Sequence, residues 1–86
     1  IGSFDVPAAG LQIAIGNGKD GQELIIRNVS GAAAASGLKR GDIIRQINGR
    51  TVGSEAELNE ALKAGKNLPV LVQRGGNSVF IALVLP

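Results

Sequence analysis

Cysteine, histidine, methionine, tryptophan and tyrosine are all absent from this chain of 86 residues, and phenylalanine occurs only as Phe4 and Phe80. Without cysteine there is no disulfide or thiolate nucleophile. Without histidine as well, a Ser-His-Asp triad and the common zinc ligand sets cannot be assembled within the chain. The serines Ser3, Ser30, Ser36, Ser54 and Ser78 all fall near turns or helix caps, where serine has structural work. No apolar run approaches the ~20 residues that span a bilayer, and no like-charge block is present. The nine basic and seven acidic residues leave a formal charge of +2, and two phenylalanines supply no stacking platform for nucleic acid. The expectation is a non-enzymatic single domain with no membrane span, nucleic-acid partner, metal or cofactor. A chain this short buries only about 60% of its unfolded surface, so its core must be built efficiently from Ile, Val, Leu and Ala.

What is present is mostly strand pattern. Leu11, Ile13 and Ile15 alternate with Gln12 and Ala14, the period-2 signature of a strand with one buried face. Three glycines with Asn17 and Asp20 break the chain between Gly16 and Gly21 and predict a flexible loop or wide hairpin. That segment has neither the P-loop spacing nor the calcium ligand series. Leu24 to Val29 reads as the next strand. Asp42 to Ile47 is strand-like, and Asn48-Gly49 predicts a type I′ turn, since both of its central positions need positive φ. Val70 to Gln73 and Ser78 to Leu85 form a last pair joined through Gly75-Gly76-Asn77. A single Arg74-Gly75-Gly76 between two strands is a hairpin feature, not an RNA-binding repeat.

Two helices are expected. The alanine run from Ser30 to Leu38, flanked by Gly31 and Gly37, makes one to two turns stopped at Gly37. Ser54-Glu55-Ala56-Glu57 has the form of a capping box, followed by Leu58, Ala61 and Leu62 at helical spacing, with Gly65 placed for a left-handed C-terminal cap. Residues 1–8 read as a lead-in segment or linker ending near Pro7, and residues 9–86 as the domain.

Taken together, Gly37-Leu38-Lys39-Arg40-Gly41-Asp42-Ile43-Ile44, then Ile47-Asn48-Gly49-Arg50-Thr51-Val52, then Glu57-Leu58 to Ala61-Leu62, resemble the bacterial PDZ signature. The resemblance runs from about Gly10 to Leu85. The ending from Gln73 to Phe80 is similar to the final hairpin of the second, C-terminal PDZ of Deg/HtrA-family serine proteases. It implies an α+β fold, a small partly open β-barrel or sandwich of five to six short strands with two helices, one short and one of about three turns. It also implies a periplasmic protein-quality-control protease whose catalytic domain lies elsewhere. The PDZ domains of site-2 proteases, C-terminal processing peptidases and secretion components, or a scaffold adaptor, are the alternative settings.

The resemblance further implies a peptide-binding site. An extended or C-terminal peptide would add along Leu11, Gln12, Ile13, Ala14 and Ile15, with its carboxylate on the backbone N–H groups of Ala9, Gly10 and Leu11. Leu11, Ile13, Leu58 and Leu62 would line the pocket for its last side chain, and Glu55 and Asn59 would flank the residue two before it. Core packing is the competing role for the four apolar residues, and for Glu55 a favourable charge at the helix start. Ala9 stands where the family has a bulky residue, with no basic residue nearby in the sequence, which favours assembly with neighbouring protease or PDZ domains, or a homo-oligomer, over tight carboxylate capture. An edge strand here would be covered by residues 1–8 or by a neighbouring chain.

Overall fold

The computed structural model describes residues 2–19 and 21–86. Its elements are β1 (Gly2–Val6), β2 (Leu11–Gly18), β3 (Gly21–Val29), α1 (Gly31–Ser36), β4 (Ile43–Ile47), β5 (Arg50–Thr51), α2 (Glu55–Leu62), β6 (Asn67–Arg74) and β7 (Asn77–Val84). The strands make one open antiparallel sheet of seven, ordered β1-β2-β3-β4-β6-β7, with β5 paired to β4. The α+β class with two helices is as expected. The additional strand is β1, because the expected lead-in segment pairs along β2. Helix α2 has eight residues, closer to two turns than three.

Side-chain alternation puts one aliphatic cluster on the inner face. Ile13 and Leu11 from β2, Leu24 and Ile26 from β3, Ile44 and Ile47 from β4, Leu68, Val70 and Val72 from β6, and Leu83 from β7 are all buried there. Ala33 of α1 and Leu58 and Ala61 of α2 close over it. The alanines of α1 suit this placement, since small side chains let a short helix lie close against β7.

The turns follow local chemistry. Asn48 and Gly49 both have positive φ, 54° and 79°, as a type I′ turn requires. Gly37 ends α1 in the left-handed region, and the Leu38 N–H donates back to the Ala33 carbonyl at 3.1 Å. Ser54 Oγ accepts from the Glu57 N–H at 3.2 Å, while Glu57 Oε1 reaches one residue beyond the expected partner to the Gly53 N–H at 3.0 Å. The expected left-handed cap at Gly65 is not formed. The helix instead closes through the N–H groups of Lys63 and Ala64, which donate to the carbonyls of Glu60 and Ala61, both at 3.2 Å. Where a flexible loop or wide hairpin was expected between Gly16 and Gly21, the β2–β3 ladder runs through to the Gly18–Gly21 pair, and Asp20 lies outside the described residues.

Among the described residues one polar side chain is buried. Asp42, 2% exposed, accepts from the Lys39 N–H at 3.0 Å and from Arg74, whose Nε and Nη2 donate to its two oxygens at 2.9 and 2.7 Å. Arg74 Nη2 also donates to the Gly37 carbonyl at 3.1 Å, so the end of β6 is tied to the end of α1 and to the turn before β4. The Arg74 hydrogen bonds, helped by the Lys39 amide, hold the Asp42 carboxyl below its usual range, outweighing burial, which acts the other way.

Candidate functional site

The expected peptide site is built on the β1–β2 hairpin. Its turn is fixed by Gly10, whose φ of 77° favours glycine, and where any Cβ would overlap the Ser30 carbonyl oxygen. The Gly10 carbonyl accepts from the Ser30 N–H and the Ala9 carbonyl from the Ala33 N–H, each at 2.8 Å, so the turn is fastened to the start of α1. The N–H groups of Ala9 and Gly10 both donate to the Val6 carbonyl, at 3.2 and 2.9 Å, and the Gly10 N–H is shared with the Pro7 carbonyl at 3.3 Å. These are the backbone hydrogen bonds of the hairpin's own turn, so both donors are occupied in this state.

Along β2 the expected contact residues divide by face. Leu11 and Ile13 are buried, Ala14 and Ile15 half-buried, and Gln12 exposed. Their backbone edge away from β3 is taken by β1, in register from Gly2 against Ile15 to Val6 against Leu11. On α2, Leu58 is fully buried and Leu62 half-buried, while Glu55 and Asn59 are exposed to solvent. Leu11, Ile13 and Leu58 therefore serve the core in this state. Two of the four line surface hollows: Leu11 one of about 330 Å³ with Asp5, Pro7, Gly10, Gln12, Asn28, Val29 and Ser30, and Leu62 one of about 440 Å³ with Ala8, Lys63, Gly65, Lys66, Leu85 and Pro86.

That hollow brings two cations to the hairpin turn that the sequence order hides. Lys63 and Lys66 stand more than fifty residues from Ala8 in the chain yet line the same depression. The signal for them was their position directly after the last turn of α2, which packs at this end of the sheet. An adjoining apolar hollow of about 530 Å³ runs from Pro7, Ala8 and Gly10 past Gly31, Ala32 and Ala35 to Val84 and Leu85. Among the described residues no group of three acidic, histidine or cysteine side chains gathers to hold a metal ion, and no helix is long and apolar enough to cross a membrane.

Comparison with known proteins agrees with this architecture. The family model for the PDZ domain matches residues 25–74. A probable periplasmic serine endoprotease, DegP-like, from Hahella chejuensis is 38% identical over 68 residues, which cover 76% of this chain and 14% of that protein. Serine protease HTRA1 of Xenopus laevis is 41% identical over 51 residues, covering 59% of this chain and 11% of that protein. Among solved structures, the HtrA3 PDZ domain bound to a phage-derived ligand (FGRWV) superposes with a TM-score of 0.78 at 20% identity, covering 98% of this chain and 85% of that one. The PDZ domain of EpsC from Vibrio cholerae superposes with a TM-score of 0.68 at 13% identity, covering 93% of this chain and 99% of that one. The chain thus spans only 11 to 14% of the length of these two curated relatives. With the matched segment covering more than half of its residues and the whole sheet superposing on solved examples, this chain belongs to the PDZ domain family.

Proposed function

We propose that this chain is the peptide-binding module of a Deg/HtrA-type serine endoprotease acting in periplasmic protein quality control, as the second, C-terminal PDZ of that protein, and that residues 9–86 carry the binding function. It takes up extended or C-terminal segments by strand addition along Leu11 to Ile15. The observation that carries this reading is the pair of N–H groups on Ala9 and Gly10 aimed at one oxygen at the head of β2, beside a hollow rimmed by Lys63 and Lys66. Two convergent amides suit a terminal carboxylate, with Lys66 on the rim of the neighbouring hollow to add positive charge, the Lys63 ammonium being paired with Glu60 at 3.0 Å. Leu11, Ile13, Leu58 and Leu62 form the apolar floor for the last side chain, with Glu55 and Asn59 beside the residue two before it. The HtrA3 PDZ domain with its bound FGRWV ligand and the HtrA-type protease AlgW with its decapeptide lend analogy, as proteins of this fold solved with peptides.

The test is a backbone NMR titration with hydrophobic C-terminal peptides, each matched to its amide. Shifts clustered on Ala9 to Ile15 and Glu55 to Leu62 that weaken on amidation are the expected result. A spectrum unmoved at millimolar peptide, in variants with β1 loosened as well as in the native chain, defeats the reading.

A second reading, assembly with neighbouring domains or with further copies, is favoured by β7. Among the described residues this strand pairs only with β6, so it is a sheet edge, and it exposes Phe80 (72%) and Val84 (55%). An apolar sheet edge is a surface that proteins ordinarily cover.

A further inference from the structure

We propose that β1 is an internal ligand of the peptide groove, and that its sequence reports the class of free peptide the groove accepts. The inference rests on the peptide-capture reading above. Three features of Gly2–Val6 coincide. Its direction is antiparallel to β2, with Val6 at Leu11, which is how a peptide ending at the Gly10 turn would lie. The Val6 carbonyl occupies the two N–H groups, Ala9 and Gly10, assigned to the terminal carboxylate. Val6 itself is 4% exposed and Phe4, two residues earlier, packs half-buried on the same core cluster, while Ser3 and Asp5 between them face solvent. Backbone, terminal oxygen and alternate side chains of a ligand are all represented.

The tether to β2 is short, only Pro7 to Gly10, so β1 competes at the high effective concentration of a tethered segment. It is nevertheless the element best placed to leave. It has five residues, pairs on one side only and buries one side chain completely. Edge segments of this kind open at a small fraction of the global unfolding free energy. Free peptide then sees only the population with β1 displaced, which weakens its apparent affinity in proportion. The groove's own occupant defines the matching free ligand as a peptide with a terminal carboxylate, a small branched aliphatic residue last and an aromatic residue two before it.

The test uses the full chain, which has no native cysteine, carrying Asp5→Cys and Gln12→Cys. These residues are direct cross-strand partners on the exposed face, within disulfide reach, so oxidation locks β1 on β2 without altering the core. The probes are the pentapeptide Gly-Ser-Phe-Asp-Val with a free carboxylate, its amide, and FGRWV, followed by NMR on Ala9 to Ile15. The reduced protein is expected to bind the free pentapeptide at least about tenfold more tightly than the oxidised one, and the amide weakly. A full chain carrying only Val6→Ala, which loosens β1 by removing buried methyl groups, is expected to bind about tenfold more tightly than the native chain. Equal binding by oxidised and reduced protein overturns the internal-ligand proposal and leaves peptide capture standing. Absence of binding by the oxidised, reduced and Val6→Ala proteins to either peptide overturns peptide capture, and this inference with it.

Discussion

Replacing Asp42 by Asn tests the best-defined polar contact in the fold. The carboxylate is 2% exposed and takes three hydrogen bonds, from the Lys39 N–H and from two nitrogens of Arg74, the latter linking residues 32 apart in sequence. An asparagine is nearly the same size but carries no charge, and its NH₂ group would have to face one of the donors that the second oxygen now accepts. Removing one partner of a buried pair costs about 3–5 kcal/mol when the other charge stays buried. Here the Arg74 side chain is 34% exposed and can turn to water, so the cost belongs below that range, at about 2–3 kcal/mol for Asp42→Asn. For a domain of this size that lowers Tm by roughly 10–20 °C.

The same residue gives the sign of the pH dependence. Its folded pKa lies below the ordinary value of 3.8, so its contribution is fully present above that value and is lost as pH falls through the lower, folded one. Thermal melts followed by circular dichroism at pH 7, 4, 3 and 2 should therefore show the native protein and Asp42→Asn well separated at neutral pH and converging in acid. A Tm within about 2 °C of the native protein at pH 7, or a gap that persists unchanged at pH 2, would refute the account of Asp42 as a charged tie.

Gly10→Ala combines an unfavourable positive φ with overlap on the Ser30 carbonyl, and should destabilise the domain by more than about 2 kcal/mol in urea melts, against about 1 kcal/mol if backbone freedom alone mattered. Ser54→Ala removes the acceptor of the Glu57 N–H and should cost about 1 kcal/mol in the same assay, with Ser54→Asp restoring most of it. If Ser54→Ala is neutral, the cap seen at the start of α2 contributes nothing to folding.

Several elements were legible because the physics that makes them is local. Asn48-Gly49 accepts positive φ cheaply wherever it occurs, Ser54 and Glu57 have the spacing to serve the amides at a helix start, and Gly37 ends an alanine run without strain. Gly65 misled, since glycine permits a left-handed cap but does not require one, and the chain closed its helix with two tight backbone bonds first. Pro7 reads as a boundary, so residues 1–8 read as a lead-in that covers the edge of β2 and not as a strand of the sheet, which β1 is. The clue was the alternation of Phe4 and Val6 with Ser3 and Asp5, ahead of a glycine that reverses the chain.

The candidate site was legible in part and for the same reason. Its motif residues are contiguous on β2 or regularly spaced on α2, so the sequence named them. Which of them meet solvent was not contained in their spacing. Leu11, Ile13 and Leu58 read as pocket or core, and the packed structure places all three in the one core cluster in this state. By itself, then, the sequence determined the α+β class, the family signature, most strand and helix positions and the absence of histidine or cysteine chemistry, because composition, periodicity and turn preferences act over a few residues. Only the tertiary structure decided that Arg74 answers Asp42, that Lys63 and Lys66 line the same hollow as Ala8, and that the edge beside Gly10 is occupied by the chain's own first strand, because those arrangements depend on which edges and ends of distant elements come together.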